Sequence, residues 1–334
     1  MIDVEDAVDR VVTETGFSGV VRVDQDGQQV WAGAYGLAHR GWSIRNTLDT
    51  RFGIASGTKA MTALTVVSLI EEGQLDLATT ARSQLGADLP LIDDAVTVQH
   101  LLAHRSGIGD YFDETAVQSM TDYVMPVPVH RLVTTEDYLS VLDGHRQVFA
   151  PGTRFAYNNG AYVVLALLAE RASGMGFHEL VSARVCEPAG MHNTEFLRSD
   201  EPDGRTAAGY LDRAGLRTNV LHLPVRGSGD GGICTTAADV AALWRALYGG
   251  QIVPPDRFAQ MIRPHSDVPD ESARYGLGFW LHRTGSSVVV DGADAGVSFR
   301  SVHDPDTDVT HTVLSNTTHG AGPVSRPLSE ALQS

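Results

Sequence analysis

Lysine is almost missing from this 334-residue chain: of 25 basic residues, Lys59 is the one lysine and the others are arginine. Cysteine is nearly as scarce. Cys186 and Cys234 are too few for a disulfide framework and lack metal-ligand spacing, so they read as small buried hydrophobes in a reduced compartment. Positive charge is outnumbered, with 41 acids giving a formal charge of −16, which argues against a nucleic-acid partner and against anionic membranes. No apolar run is long enough to span a bilayer. The opening Met1-Ile2-Asp3-Val4-Glu5-Asp6 is acidic and has neither the basic nor the apolar region of a signal peptide. A cytoplasmic protein is expected. The thirteen histidines show no metal-binding pairing, so neither a metal nor another cofactor is expected.

What the chain does have is ordinary globular composition, 43% hydrophobic and 20% charged, with enough length for a large core. Residues 2–15 show amphipathic helical spacing, and 19–24 and 29–34 read as strands joined through Gln25-Asp26-Gly27-Gln28. A buried helix is expected over 57–72, with Ser56 at its start. The middle is mostly helical, clearest at 97–103, 135–143, 160–173, 177–186 and 237–248. Strand patterns then fill 275–283, 287–291, 296–303 and 309–315 before a closing helix over 323–333. Helix, strands, helical middle, strands, helix predicts an α+β fold: an antiparallel sheet with terminal helices on one face and a helical insertion. The chain reads as a single domain, with a sheet lobe over about 1–55 and 250–334 and a helical lobe over about 56–249.

The lone lysine stands three residues after a serine in Gly53-Ile54-Ala55-Ser56-Gly57-Thr58-Lys59-Ala60. One helical turn places the two side chains on one face. With serine at ordinary abundance, chance gives this spacing about one time in fifteen. Arginine keeps its charge, whereas a buried lysine can lose its proton, so Lys59 can serve as a base toward the weakly nucleophilic Ser56 hydroxyl. A helix start also favours the anion formed when Ser56 attacks a carbonyl. The bland alternative is a plain serine cap.

A second segment, Gly152-Thr153-Arg154-Phe155-Ala156-Tyr157-Asn158-Asn159-Gly160, precedes an apolar helix. A phenol beside a lysine ammonium has its pKa lowered, so Tyr157 could share in proton transfer, while Asn159 can orient Lys59 or a substrate amide. The alternative here is a capping turn with a packed tyrosine. Gly227-Ser228-Gly229-Asp230-Gly231-Gly232 lacks a phosphate-loop lysine and reads as a cleft wall that approaches substrate by backbone.

Ser-x-x-Lys followed about a hundred residues later by Tyr-x-Asn resembles the serine β-lactamase and penicillin-binding-protein superfamily, most of all its class C-like branch. Supporting stretches are Val98-Gln99-His100-Leu101-Leu102-Ala103-His104-Arg105-Ser106-Gly107-Ile108 and Gly231-Gly232-Ile233-Cys234-Thr235-Thr236-Ala237-Ala238-Asp239. The resemblance implies that Ser56 is acylated, Lys59 is its proton partner, Tyr157 the base and Asn159 an orienting residue. His104 is then a packing residue of a structural loop. The third motif of the superfamily, Lys-Thr-Gly or His-x-Gly, falls at Asp291-Gly292-Ala293-Asp294-Ala295-Gly296. On this reading Ala293 replaces the cation, the backbone N–H groups of Ser56 and Gly296 form the oxyanion hole, and Asp294 and Ala295 border the substrate. Asp294 would repel a substrate carboxylate unless Arg300 compensates.

The resulting expectation is a serine hydrolase acting on an ester or amide of a small molecule or peptide, with esterase-like activity favoured. A D-Ala-D-Ala carboxypeptidase, a D-aminopeptidase or a weak β-lactamase is the alternative. A non-catalytic penicillin-binding or scaffold protein on the same fold is the rival of another class. The chain carries no sign of its oligomeric state.

Overall fold

The computed structural model describes residues 4–112, 114 and 118–332. Eight strands form one antiparallel sheet: β1 (Gly19–Gln25), β2 (Gln28–Tyr35), β3 (Ser266–Val268), β4 (Ala273–Tyr275), β5 (Trp280–His282), β6 (Val288–Asp294), β7 (Val297–Asp304) and β8 (Val309–Ser315). Their order is β2-β1-β8-β7-β6-β5-β4-β3. The first two strands therefore join the sheet beside the last, with Gly19 opposite Ser315. The β1–β2 turn has positive φ at Asp26 and Gly27, the backbone that matches the twist of a two-residue hairpin.

Two helices cover one face, α1 (Val4–Thr15) and, closing the chain, α5 (Ala321–Leu332). Val8 from α1 and Ala321, Val324 and Leu328 from α5 pack on Val21, Val23 and Val313. The opposite face receives the helical region, whose centre is α2 (Thr58–Glu71) and α3 (Asn159–Ser173), followed by α4 (Ala237–Tyr248). Residues 58–69 of α2 and 159–169 of α3 are all buried. Apolar residues on every side of a helix leave it no solvent face, so both run through the core. Each large side chain removed from water there, Phe299 and Leu64 among them, contributes roughly 1.5–3 kcal/mol. Among the described residues, no helix is long and apolar enough to cross a membrane.

Two sequence expectations change. The strand pattern over 275–283 splits into β4 and β5, because the chain between them leaves extended geometry. Gly278 has a φ of 90°, and a Cβ there would lie 2.3 Å from Ala63 of α2. Close approach to the central helix outweighs strand continuity. The helix expected over 177–186 is α-helical over Phe177–Val181 and then widens to a π-turn over Ser182–Cys186.

Candidate active site

The segment before α2 is bent hard. Ala55 has a φ of 44°, a conformation costly for any residue with a Cβ, and the single turn Ala55–Gly57 leads into the helix. Gly57, not Ser56, stands at the helix cap, and no side chain caps it. The Ser56 hydroxyl is engaged elsewhere.

Lys59 lies one turn on and is 2% exposed. Its Nζ is 2.9 Å from Ser56 Oγ, 2.8 Å from Asn159 Oδ1 and 2.9 Å from the Asp230 carbonyl oxygen. Asn159 has no freedom to turn its amide. Its Nδ2 donates to the Phe112 carbonyl at 3.1 Å and to Glu114 at 3.0 Å, so its oxygen is left facing Lys59. Its backbone N–H and that of Gly160 donate to Asp110, which thereby holds the positive end of α3.

Tyr157, in the turn before α3, hydrogen-bonds Ser56 through its hydroxyl. Lys59 Nζ lies 5.0 Å from its ring centroid, and Trp280 stacks on it at 6.0 Å. The four residues Ser56, Lys59, Tyr157 and Asn159 are therefore brought together from segments about a hundred positions apart. One expectation about them is reversed. Burial first, then Glu114, push the Tyr157 phenol well above its ordinary value, and the neighbouring Ser56 hydroxyl opposes this only in part. Proximity to Lys59 does not make a phenolate. Lys59 moves the other way: burial lowers its pKa, against the attraction of Asp230, Glu114, Asp110 and Asp294.

The third motif needs correction at three positions. Gly292, not Ala293, meets the nucleophile: a Cβ on Gly292 would lie 2.7 Å from the Ser56 nitrogen and 2.2 Å from the Ile54 oxygen. Aligning Lys-x-Gly on that glycine puts Val290, a core residue, in the cation position. The Gly296 N–H is not free for an oxyanion, because it donates to Thr318 Oγ1 at 2.8 Å. Ala295 does not border substrate; it is 1% exposed and its carbonyl accepts from Asn219.

Strand register leaves another β6 amide on the cleft side. Asp294 and Val297 close the β6–β7 hairpin as a hydrogen-bonded pair, and Gly292 pairs with Phe299. The Ala293 N–H between them points to the other edge of β6. That edge is bare, since β5 pairs only with Val288 and Val289. Ala293 also lines the cleft, beside Ser56.

The cleft holds about 480 Å³ and is walled by Tyr111, Phe112, Met120, Tyr123, Met125 and Leu223. Carboxylates crowd its floor. Asp294 is pushed up to about 7 by burial, with Glu114 and Asp230 adding to the effect against the Ala295 N–H. Asp230 accepts from Tyr111, and burial raises it as well. Arg300 does not compensate, because it is paired with Asp291 at 2.5 Å. Of the segment read from the sequence as a cleft wall, Gly227 and Asp230 through Gly232 do line the cleft; Tyr111, Phe112 and Glu114 line it as well. Asp113 lies outside the described residues. Trp42 reaches the rim only by stacking on His39, at 5.3 Å.

Sequence reasoning missed the Asp230 carbonyl, the two acids that hold Asn159, and the Ala293 N–H. The first three act through contacts 45 or more positions away, which no local pattern encodes. Gly292 carried a usable signal, a glycine within an apolar strand pattern.

The beta-lactamase family model matches residues 4–333. A putative penicillin-binding protein of Bacillus subtilis (strain 168), PbpX, is 26% identical over 284 residues, covering 84% of this chain and 66% of its own length. A D-aminopeptidase of Brucella anthropi is 27% identical over 283 residues, covering 81% of this chain and 50% of its own. The chain thus spans half to two thirds of the length of these relatives. The crystal structure of a penicillin binding protein from Bacillus halodurans matches with a TM-score of 0.91 at 34% identity, over 97% of this chain and 99% of that one.

Proposed function

Because the chain belongs to the beta-lactamase family, we propose that it is a serine hydrolase forming an acyl-enzyme on Ser56 from an ester or amide. The observation that carries this reading is the surroundings of Lys59 Nζ. Asn159 Oδ1 and the Asp230 carbonyl can only accept, so two amine N–H bonds are committed to them. A neutral Lys59 then turns its lone pair to the third neighbour, the Ser56 hydroxyl. The site holds a base aimed at a nucleophile.

As Ser56 Oγ bonds the substrate carbonyl carbon, its proton passes to Lys59. The N–H groups of Ser56 and Ala293 stabilise the oxyanion. Collapse breaks the bond to the leaving group, which takes its proton from Tyr157, and Lys59 returns one to the phenol. Water then repeats the sequence on the acyl-enzyme and restores Ser56. A phenol held neutral by burial suits the donor role. The base role that the resemblance gave to Tyr157 passes to Lys59 in this scheme. A fluorophosphonate probe should label the protein on Ser56, as read by peptide mass. Absence of labelling, together with no ester turnover, favours the non-catalytic binder.

The floor acids set the substrate charge. With Val290 in the cation position of the third motif and Asp294 next to the Ala293 amide, acyl groups that are neutral or carry an amine are favoured over those ending in a carboxylate. The name of the Brucella anthropi relative, an aminopeptidase, points the same way. Among p-nitrophenyl esters, kcat/KM should favour an amine-bearing acyl group over a carboxylate-bearing one by about tenfold or more. Asp294→Asn should narrow that ratio several-fold. Because Asp294 ionises near 7, the preference should grow as pH rises through that value. A preference for the carboxylate ester would overturn this assignment.

A further inference from the structure

His104 has not been used by the scheme above, yet it touches the catalytic turn at three points. The loop residue is fully buried and has a φ of 52°, in the left-handed region. Its carbonyl accepts the Ala156 N–H at 2.8 Å, and its ring Nδ1 accepts the Asn158 N–H at 3.1 Å. Those are the residues on either side of Tyr157. Its ring also backs the Tyr157 ring, with centroids 4.4 Å apart.

We propose that His104 is the positioning residue for Tyr157: it grips the backbone before and after the phenol and supports the ring, thereby fixing the hydroxyl on Ser56. The inference rests on the serine-hydrolase reading. Packing alone does not explain a histidine here. A phenylalanine would fill the same space among Tyr157, Tyr162, Tyr275 and Phe155 without a polar atom. Accepting through Nδ1 puts the ring proton on Nε2, which is buried and has no hydrogen-bond partner among the described residues. An orphaned buried donor is costly, and so is a left-handed backbone in a residue with a side chain. What the imidazole adds in return is the acceptor for Asn158. Burial, followed by the charge of Lys59, holds its pKa well below the ordinary value, so that acceptor stays unprotonated.

Three variants separate the contributions. His104→Ala removes ring and acceptor, His104→Phe keeps a ring, and His104→Asn keeps an acceptor near Nδ1 on a residue that tolerates positive φ. On a p-nitrophenyl ester, the alanine variant should lose about 10- to 100-fold in kcat, with KM changed less than about threefold, as a misplaced proton donor requires. The asparagine variant should recover part of that loss, and the phenylalanine variant less. Near-UV circular dichroism and thermal melting identify any variant that fails to fold, and the folded ones carry the comparison. Wild-type kcat in a folded His104→Ala or His104→Phe, or no difference between the phenylalanine and asparagine variants, overturns the proposal. Fluorophosphonate labelling of the wild type distinguishes the two ideas. An unlabelled wild type overturns both, whereas a labelled wild type together with wild-type kcat in a folded His104→Ala overturns the positioning role alone.

Discussion

Ser56→Ala is expected to cut ester turnover at least about a thousandfold while the protein stays folded. The size of the loss follows from what the hydroxyl does in the proposed scheme. Its oxygen becomes covalently bound to the acyl group, and neither Lys59 nor Tyr157 can form that bond from its present position. What survives is a backbone oxyanion hole and a base, enough to assist attack by water but without the two-step route. The fold should tolerate the change. Ala55 already sets the bend before α2, Gly57 caps the helix, and the serine side chain fills neither role. The stability cost is therefore confined to hydrogen bonds lost by Lys59 and Tyr157, about 1 kcal/mol each. Turnover and thermal melting, measured side by side, check both halves. Wild-type turnover in the variant would remove Ser56 from the chemistry.

Lys59→Arg, although it conserves charge, should be nearly as damaging to turnover, by about a thousandfold. A guanidinium does not give up its proton at working pH, so the base is lost. It is also planar and larger, whereas the pocket offers two acceptors and a hydroxyl disposed around a single nitrogen. The variant should also melt at lower temperature, since a misfitted buried cation cannot be rehydrated. The same lysine sets a pH dependence. Burial lowers its pKa from 10.5, so the amine becomes neutral at lower pH than an exposed lysine would, and turnover should rise toward mildly alkaline pH. For stability, a base with a depressed folded pKa binds fewer protons folded than unfolded within that window, so its contribution grows as pH rises. Asp110, pushed up to about 6 mainly by burial, and Asp294, near 7, work in the opposite direction. The folded state holds their protons longer, so their contribution is fully present below the unfolded carboxylate value and fades as pH rises through 6 and 7. A turnover profile flat from acid to alkaline would count against Lys59 as the base.

Much of this was readable from the chain because it is written locally. Ser56, in the turn that enters α2, and Lys59, in the first turn of α2, are three residues apart, so their meeting is a local matter. The runs expected as strands over 287–291, 296–303 and 309–315 are short, rich in β-branched residues and bounded by turn residues, and with helices on both sheet faces most of their residues are buried. The third motif failed for the opposite reason. Which β6 amide faces Ser56 depends on hairpin register, and a one-residue slip turns every group to the other side. The direction of the Tyr157 shift was equally out of reach. It is set by burial against Trp280 and His104, contributed by distant loops and strands, and not by the lysine its motif predicts.

The sheet order has a consequence for how the chain is made. Ser18, entering β1, is bound by Ser315, which lies 297 positions later. At about 5–20 residues per second, a ribosome needs roughly 15–60 seconds to cover that distance. For that time β1, with the apolar Val20, Val21 and Val23, has β2 on one side and nothing on the other. The nascent hairpin therefore emerges as an unprotected edge. It stays a target for wrong pairing until β8 leaves the exit tunnel and pairs with β1.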